Sequence, residues 1–555
     1  MGRTTGILFG ITIFCLAGMV FAFWLLSVPA GHPDPRLAFN VFYYLFARNE
    51  PAGLLVVALF SAGAALWFRR SRPLAEDRPV ENGILAGWVC VAVAVVVFAV
   101  AAIGTQTVFH NYLVTADEYL ADFQARIFLR GEVQAQVPPQ FVDAVRVIKP
   151  SFVEYFPATH RWNATYLPVY AAMRAVFQYL DLQSLLNPLL AAVAILALYG
   201  TARNIWPQSK MNALVAIGLL GSSPQFLLMS MTSYSMPAHL ALNSVWLWLY
   251  SSPDRRRFFL TPLVGVLALG LHQPFFHALF VTPFLVRLVW QRKWRSSFIF
   301  AGVYLAGCAL WLYWSVHFRS QFGAATAAST FRLLNPRMAI IQPMNLLLII
   351  AWSCLATPLL ATLGAGRWFR HPAILQDATV SCLLTFGFYF FFYLDQAHGW
   401  GYRYFHGVLV CLILVAVAGF DRLSTLLGQR RAQRLVATGI AASLLIQLPL
   451  RCFQTESFVR PYARTAAVLH AMPKDIVALD ARDAWYSADL IRNDPFLEQR
   501  PMIVSLFGLT PAAIAVLEKG GSARFITRDD LTRLGMFTGR RNDYAHDPFQ
   551  LGRGK

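Results

Sequence analysis

Two neighbouring acidic residues follow a long apolar run. Residues 84–104 contain no charge, and Asp117 and Glu118 then appear in "VFHNYLVTADEYLADFQARIFLRGEV", residues 108–133. A carboxylate at the end of a membrane span can take a proton from a hydroxyl group. Asp122 and Arg126 follow one and two helical turns later. They are candidates for substrate binding, or they form only a salt-bridge ladder along the helix.

Basic and aromatic residues border other apolar runs. The segment "DQAHGWGYRYFHG" (395–407) contains His398, Arg403 and Tyr404, and residues 317–339 contain Arg332 and Arg337. A guanidinium group can hold a phosphate through two parallel hydrogen bonds. We therefore expect these residues to bind an anionic substrate. For Arg403, which lies between two tyrosines, anchoring of its own helix end at the membrane surface is the alternative.

Two histidines in "LHQPFFH" (271–277) are candidate metal ligands. His272 and His277 are five residues apart and so do not share one face of a helix well. Packing or capping at the membrane interface is the alternative interpretation. A divalent metal ion is the only possible cofactor that we infer. All seven cysteines lie in or beside apolar runs, which indicates packing rather than a disulfide framework.

The elements that carry these residues are predicted to be membrane helices. The chain is 57% apolar, has a mean hydropathy of +0.50 and contains many uncharged runs of about 20 residues, the length that crosses a bilayer. We predict an all-α polytopic membrane protein with about 13 transmembrane helices. The predicted spans are residues 6–28, 52–68, 84–108, 185–202, 211–231, 237–251, 258–271, 274–290, 298–316, 340–363, 378–394, 404–420 and 435–450.

The positions of the basic residues predict the orientation. With the N-terminus in the cytoplasm, the inner segments contain twenty Lys and Arg residues, whereas the short outer loops contain six. The net charge of +19 therefore indicates membrane anchoring and not a nucleic-acid partner. Residues 166–180 contain a central Arg174, and counting them as a span would invert every later loop. We expect an interfacial helix there, within a long outer loop of residues 109–184.

The predicted organisation has three parts. Residues 1–83 form two extra N-terminal helices, residues 84–450 form the transmembrane core, and residues 451–555 form a small extracytoplasmic α/β domain. In that domain "DIVALD", "RPMIVSLF" and "ARFIT" are typical of buried strands, and "TPAAIAVLEKGG" of a helix. The domain shows no phosphate loop and no catalytic triad, so we expect it to bind an acceptor or to shape the cleft.

Residues 84–450 resemble the GT-C-type glycosyltransferases, a superfamily that includes the protein O-mannosyltransferases and the lipid A aminoarabinose transferases. The resemblance rests on Asp117-Glu118 after an inside-to-outside span and on the pattern of "ADFQARIFLRGE" that follows it. It also rests on the aromatic segment "EYFPATHRWNATYLPVYAAM" and on "GYRY" at Gly401–Tyr404. This chain departs from the family pattern in its two extra N-terminal spans and in lacking the usual Pro-Pro.

The resemblance implies transfer of a sugar from a polyprenyl-phosphate donor to a lipid, glycan or protein acceptor, with inversion at the anomeric carbon. Asp117 and Glu118 are then the catalytic candidates. The location would be the bacterial inner (plasma) membrane, with the C-terminal domain outside the cytoplasm. The alternatives are a transporter or flippase for a lipid-linked saccharide, or a non-catalytic envelope assembly protein. Charge within the spans is scarce and we find no internal repeat, which disfavours a transporter.

Overall fold

The computed structural model describes residues 2–27, 41–70, 86–318, 338–392, 396, 399–480, 487–506, 509–510, 515 and 522–536. The helices, numbered along the chain, are α1 (Gly2–Ser27), α2 (Val41–Arg70), α3 (Ala86–Thr107), α4 (Ala116–Leu129), α5 (Val145–Ile148), α6 (Val169–Tyr179), α7 (Leu186–Ile205), α8 (Lys210–Gly221), α9 (Pro224–Ser230), α10 (Met236–Tyr250), α11 (Arg255–Leu269), α12 (Phe275–Trp290), α13 (Trp294–Phe318), α14 (Met338–Trp352), α15 (Thr357–Ala365), α16 (Ala373–Phe388), α17 (Leu409–Leu427), α18 (Gln429–Ala442), α19 (Leu448–His470) and α20 (Arg528–Arg533).

Every predicted span overlaps a described helix or a bent pair of described helices. Within the described ranges, seven helices are long and apolar enough to cross a membrane, or nine if each bent pair is counted as one span. The chain is therefore an integral membrane protein, and the full number of 13 spans remains a prediction. The two bent pairs are α8–α9, at 61°, and α14–α15, at 116°.

Two glycines allow α15 to pack closely against α17. A Cβ atom on Gly364 would lie 2.0 Å from the carbonyl oxygen of Val415, and one on Gly419 would lie 1.8 Å from that of Leu360. Only glycine permits this backbone-to-backbone contact, which membrane helices commonly use. The contact holds the short helix that follows the 116° bend.

The last membrane helix continues well beyond its predicted end. Helix α18, a π-helical turn at Ser443–Gln447 and α19 form one helical run of 42 residues that ends at His470. The predicted domain boundary at residue 451 therefore lies inside a helix.

The outer loop contains a sheet as well as the expected helices. Strands β1 (Ala135–Gln136), β2 (Val153–Phe156) and β3 (Arg161–Ala164) pair in the antiparallel order β1–β3–β2. Helix α6 has only 11 residues and spans roughly 16 Å, too little to cross a bilayer. The side chain of its Arg174 is buried against α4, where it pairs with Asp122.

The C-terminal region contains the three predicted strands. They are β4 (Ile476–Leu479), β5 (Met502–Ser505) and β6 (Ala523–Ile526), which form a parallel sheet in the order β5–β4–β6. The predicted helix at residues 510–521 falls almost entirely outside the described residues. Ala478 and Val504 share one hydrophobic core with Tyr119, Phe123 and Trp162 of the outer loop. The sheet is therefore packed onto the loop that carries the acidic pair.

Candidate functional site

The acidic pair lies in the first turn of α4, and the structure gives its two members different environments. Glu118 is fully buried and accepts hydrogen bonds from the backbone N–H groups of Val114 (2.8 Å), Thr115 (3.2 Å) and Ser233 (2.9 Å). These bonds satisfy donors at the start of the helix and tie α4 to the turn before α10. Glu118 is therefore placed to anchor the helix.

Asp117 instead faces a pocket, and its side chain is 17% exposed. Arg403 Nη1 donates to Asp117 Oδ2 at 3.0 Å, and the Tyr166 hydroxyl donates to Asp117 Oδ1. The pocket is also lined by Gln124, Tyr170 and His272. Asp117 is thus the member of the pair whose side chain has exposed surface at a pocket.

The backbone around Arg403 is fixed by two glutamines. Gln225 on α9 donates to the carbonyl of Tyr402 at 2.8 Å, and Gln396 accepts the N–H of Arg403 at 2.9 Å. Gly401 has φ +80°, and a Cβ there would lie 2.6 Å from Gln225 Oε1, so the turn before Arg403 requires glycine. This requirement accounts for the glycine in the Gly-x-Arg-Tyr pattern at residues 401–404.

Aromatic rings surround the Arg403 guanidinium. Its central carbon lies 5.0 Å from the ring centre of Tyr234 and 4.9 Å from that of Tyr404. Arg403 Nη2 also donates to the Tyr404 hydroxyl at 3.0 Å. Arg403 therefore pairs with Tyr404 in the structure, and it is buried and does not act as a surface anchor. A buried cation of this kind needs a negative partner, which Asp117 supplies.

The neighbours of Asp117 control its charge. Burial raises the pKa of its carboxyl, but Arg403, His272 and the hydrogen bonds from Tyr166 and Arg403 outweigh burial and lower the pKa below its usual value. For Glu118 the balance is opposite, since burial raises the pKa more than its backbone N–H donors lower it. In this state Asp117 is ionised and held by Arg403.

The predicted ladder from Glu118 through Asp122 to Arg126 is not formed. Asp122 pairs with Arg174 of α6, and both side chains are largely buried. Arg126 is partly buried, and its Nε finds no hydrogen-bond partner among the described residues. Asp122 therefore joins two helices of the outer loop, and substrate binding by Asp122 and Arg126 stays a prediction.

The two histidines have separate surroundings. The ring of His272 lies against that of Tyr166, with 3.6 Å between ring centres, at the Asp117 pocket. His277 is buried in the helix bundle, where Nδ1 contacts Asn243 at 2.7 Å and Nε2 contacts the Tyr304 hydroxyl at 2.8 Å. Across the described residues no three His, Cys, Asp or Glu side chains are grouped as a metal site. The geometry favours the packing interpretation for both histidines.

Three predicted substrate-binding residues, Arg332, Arg337 and His398, lie outside the described residues. The structure adds others that the sequence analysis did not select: Tyr166 on Asp117, Arg174 on Asp122, and the glutamines that hold the Arg403 turn. Tyr166 lies within the aromatic segment that supported the family resemblance, so the sequence pattern could have selected it as a site residue. Gln225 and Arg174 carried no comparable signal.

Comparison with known proteins gives a clear result for the fold. No protein-family model and no curated protein matches this chain. Among solved structures, ArnT from Cupriavidus metallidurans bound to undecaprenyl phosphate matches with a TM-score of 0.53 and 15% sequence identity, over 81% of this chain and 91% of ArnT. ArnT in the apo state matches with a TM-score of 0.51 and 14% identity, over 81% and 90% of the two chains.

The chain has a GT-C-type fold. The likeness to ArnT covers most of both chains, which confirms the resemblance predicted from Asp117-Glu118 and "GYRY" at the level of the fold. At 15% identity it carries no information about individual side chains.

Proposed function

We propose that this chain is an integral-membrane glycosyltransferase. It would move a sugar from a polyprenyl-phosphate donor to an acceptor hydroxyl at the extracytoplasmic face of the bacterial inner membrane. The observation that carries the proposal is the contact between Arg403 and Asp117, a carboxylate that lines a pocket. One side chain can accept a proton and the other can neutralise a phosphate, which are the two functions that this transfer needs.

The contact also suggests an order of events. A lipid phosphate that enters the pocket competes with Asp117 for the Arg403 guanidinium. When Arg403 turns to the phosphate, Asp117 loses its nearest cation while it stays buried, and its pKa then rises. Donor binding would thus convert an ionised but weak base into a stronger one.

In the transfer step, Asp117 Oδ2 takes the proton of the acceptor hydroxyl as that oxygen bonds to the anomeric carbon. The bond from the anomeric carbon to the phosphate oxygen breaks, and its electron pair leaves with the lipid phosphate. Arg403 stabilises the charge that develops on the phosphate. Tyr166 keeps its hydrogen bond to Asp117 Oδ1 and orients the carboxylate. Attack from the side opposite the phosphate inverts the anomeric carbon.

The likeness to ArnT supports the choice of donor. The solved ArnT structure contains undecaprenyl phosphate, the kind of lipid that the proposed reaction would release. Sugar and acceptor are proposed here only by class: a polyprenyl-phosphate-linked sugar, and a hydroxyl of a lipid, glycan or protein.

The phosphate site is tested by substitution of Arg403. We expect Arg403→Lys to weaken undecaprenyl phosphate binding roughly tenfold to a hundredfold, because a lysine loses the bidentate fork, a change of about 1.5–3 kcal/mol. The matched control is Arg161→Lys, at an exposed position on β3 of the outer loop. Equal affinities in Arg403→Lys and wild type would remove Arg403 from the site. Binding without transfer to any acceptor would favour the flippase interpretation.

A further inference from the structure

A buried ion pair joins the second helix of the chain to the last long helical run. Glu50 of α2 and Arg451 of α19 are 3% and 0% exposed, and Arg451 Nη2 donates to Glu50 Oε2 at 2.6 Å. A second donor, Trp352 Nε1, reaches Glu50 Oε1 at 3.0 Å. Gly53 lies one turn after Glu50, and a Cβ atom there would lie 2.0 Å from Arg451 Nη2. Helix α2 therefore provides both the negative charge and the space that the Arg451 guanidinium needs.

The ion pair lies at the sharp bend between α14 and α15. A break in a membrane helix frees backbone groups, and each needs a polar partner because lipid offers none. The carbonyl of Ala351 accepts from Gln447 Nε2 at 2.7 Å and from Arg451 Nη2 at 3.2 Å. The N–H of Leu355 donates to Ser443 Oγ at 2.9 Å. Ser443 and Gln447 are the ends of the π-helical turn, so this turn and Arg451 together satisfy the bend.

The two bent pairs of helices contact each other at their breaks. Ser223 lies between α8 and α9, and its hydroxyl donates at 3.0 Å to the carbonyl of Trp352, the last residue of α14. Two residues later, Gln225 donates to the carbonyl of Tyr402 at 2.8 Å and accepts its N–H at 3.3 Å. Buried hydrogen bonds and the first turn of α9 thus connect the ion pair to the turn that carries Arg403.

A small cavity provides a second connection between the same parts of the molecule. Glu50 and Trp352 line this cavity together with Gln396 and Trp400, which precede Arg403. Gln396 also accepts the N–H of Arg403 at 2.9 Å. The ion pair and the Arg403 turn therefore lie at the walls of one cavity, on a different side of the turn from the Asp117 carboxylate.

We propose that Glu50 is a positioning residue for Arg403. It acts through Trp352 at the helix bend, through Ser223 and through Gln225, which holds the Arg403 turn. The two N-terminal helices therefore belong to the catalytic unit, although the sequence places them before the core of residues 84–450. This inference rests on the proposed function, because it concerns the guanidinium that binds the lipid phosphate.

The test measures undecaprenyl phosphate affinity in Glu50→Gln and Ser223→Ala. The first variant removes the charge that holds Arg451, and the second removes the donor to the carbonyl of Trp352. We expect each to weaken binding about twofold to thirtyfold, the range for residues that act on a site through packed neighbours. Because both residues act along one path, the double variant should bind no more weakly than the weaker of the two single variants.

Two matched controls separate positioning from general stability. Asp377 of α16 accepts from Arg287 Nε of α12 at 2.6 Å in another ion pair of the bundle, and Asp377→Asn should lower thermal stability without weakening undecaprenyl phosphate binding. Ser230 of α9 donates to the carbonyl of Phe226 within its own helix, so Ser230→Ala should bind like the wild type. Binding that is weakened as much in Asp377→Asn as in Glu50→Gln would assign the effect to stability and overturn the inference.

A further variant covers the case in which Glu50→Gln does not fold. Trp352→Phe keeps a ring beside Arg451 but removes the Nε1 donor to Glu50, and it should weaken binding within the same range. Wild-type affinity in Glu50→Gln or in Trp352→Phe would overturn the inference, as would fold-changes that multiply in the double variant. Wild-type protein that binds no undecaprenyl phosphate contradicts the proposed function itself, which is a distinguishable outcome.

Discussion

Arg403 and Asp117 are joined by a 3.0 Å hydrogen bond across 286 residues of sequence. The contact brings the loop before α17 to the start of α4, at the wall of the pocket. The Asp117 carboxylate and the Arg403 guanidinium neutralise each other, since an unpaired buried charge costs folding free energy. A ligand that takes Arg403 away from Asp117 must therefore itself be anionic.

Glu118 should behave as a structural residue. Glu118→Gln replaces one of the two carboxylate oxygens that accept backbone N–H groups with an NH2 group, which cannot accept, so at least one buried donor loses its partner. We expect a loss of about 1–3 kcal/mol in the free energy of unfolding. Thermal unfolding in detergent measures this loss. A Glu118→Gln protein of unchanged stability but without transfer activity would instead assign catalysis to Glu118.

The ion pair between Asp122 and Arg174 should matter for stability. Arg174→Met leaves the Asp122 carboxylate buried without its cation, and we expect a destabilisation of about 3–5 kcal/mol. The exposed pair of Arg130 and Glu498 offers the control, because Arg130→Met should change thermal stability little. If both variants unfold at the same temperature, the Asp122–Arg174 pair does not hold α4 to α6.

Removal of the C-terminal region should impair the site. A chain that ends at His470 retains α19 but exposes the core in which Tyr119, Phe123 and Trp162 pack against the parallel sheet. We expect it to insert into the membrane and to bind undecaprenyl phosphate at least tenfold more weakly, a change of about 1.4 kcal/mol or more. Limited proteolysis of residues 109–184 would report the loosened loop. Wild-type affinity in this truncated protein would show that the region is dispensable for the donor site.

The membrane helices were predictable because their signal is local. A run of about 20 apolar residues must form a helix in a bilayer, since each backbone polar group has to be bonded internally. The signal for the three C-terminal strands is also local, because each is a short run of apolar residues. The strands at residues 476–479, 502–505 and 523–526 accordingly agree with their sequence patterns. The end of α19 was not predicted because its C-terminal half is polar and lacks that signal.

The partners within the site were not predictable in the same way. Residue type and position near a span end selected Asp117, Arg403 and Tyr404, but no local pattern shows that Arg403 contacts Asp117 or that Arg174 contacts Asp122. Asn493 lies in a segment without a recognisable motif, and only the packing of the parallel sheet on the loop of residues 109–184 brings it to Tyr119 of α4. Such contacts depend on tertiary structure.

The central claim is that Asp117 takes the acceptor proton, and Asp117→Asn tests it most directly. The measurement is the release of undecaprenyl phosphate from a panel of undecaprenyl-phosphate-linked sugars, together with undecaprenyl phosphate affinity and thermal stability of the same purified protein. Because asparagine keeps the shape but leaves the buried Arg403 without its negative partner, we expect a folded protein of lower thermal stability. Its affinity for the anionic lipid should be equal to or tighter than that of the wild type. Turnover should fall by about 10²–10⁴-fold, the range typical of a lost general base. Near-normal turnover in this variant would contradict the claim.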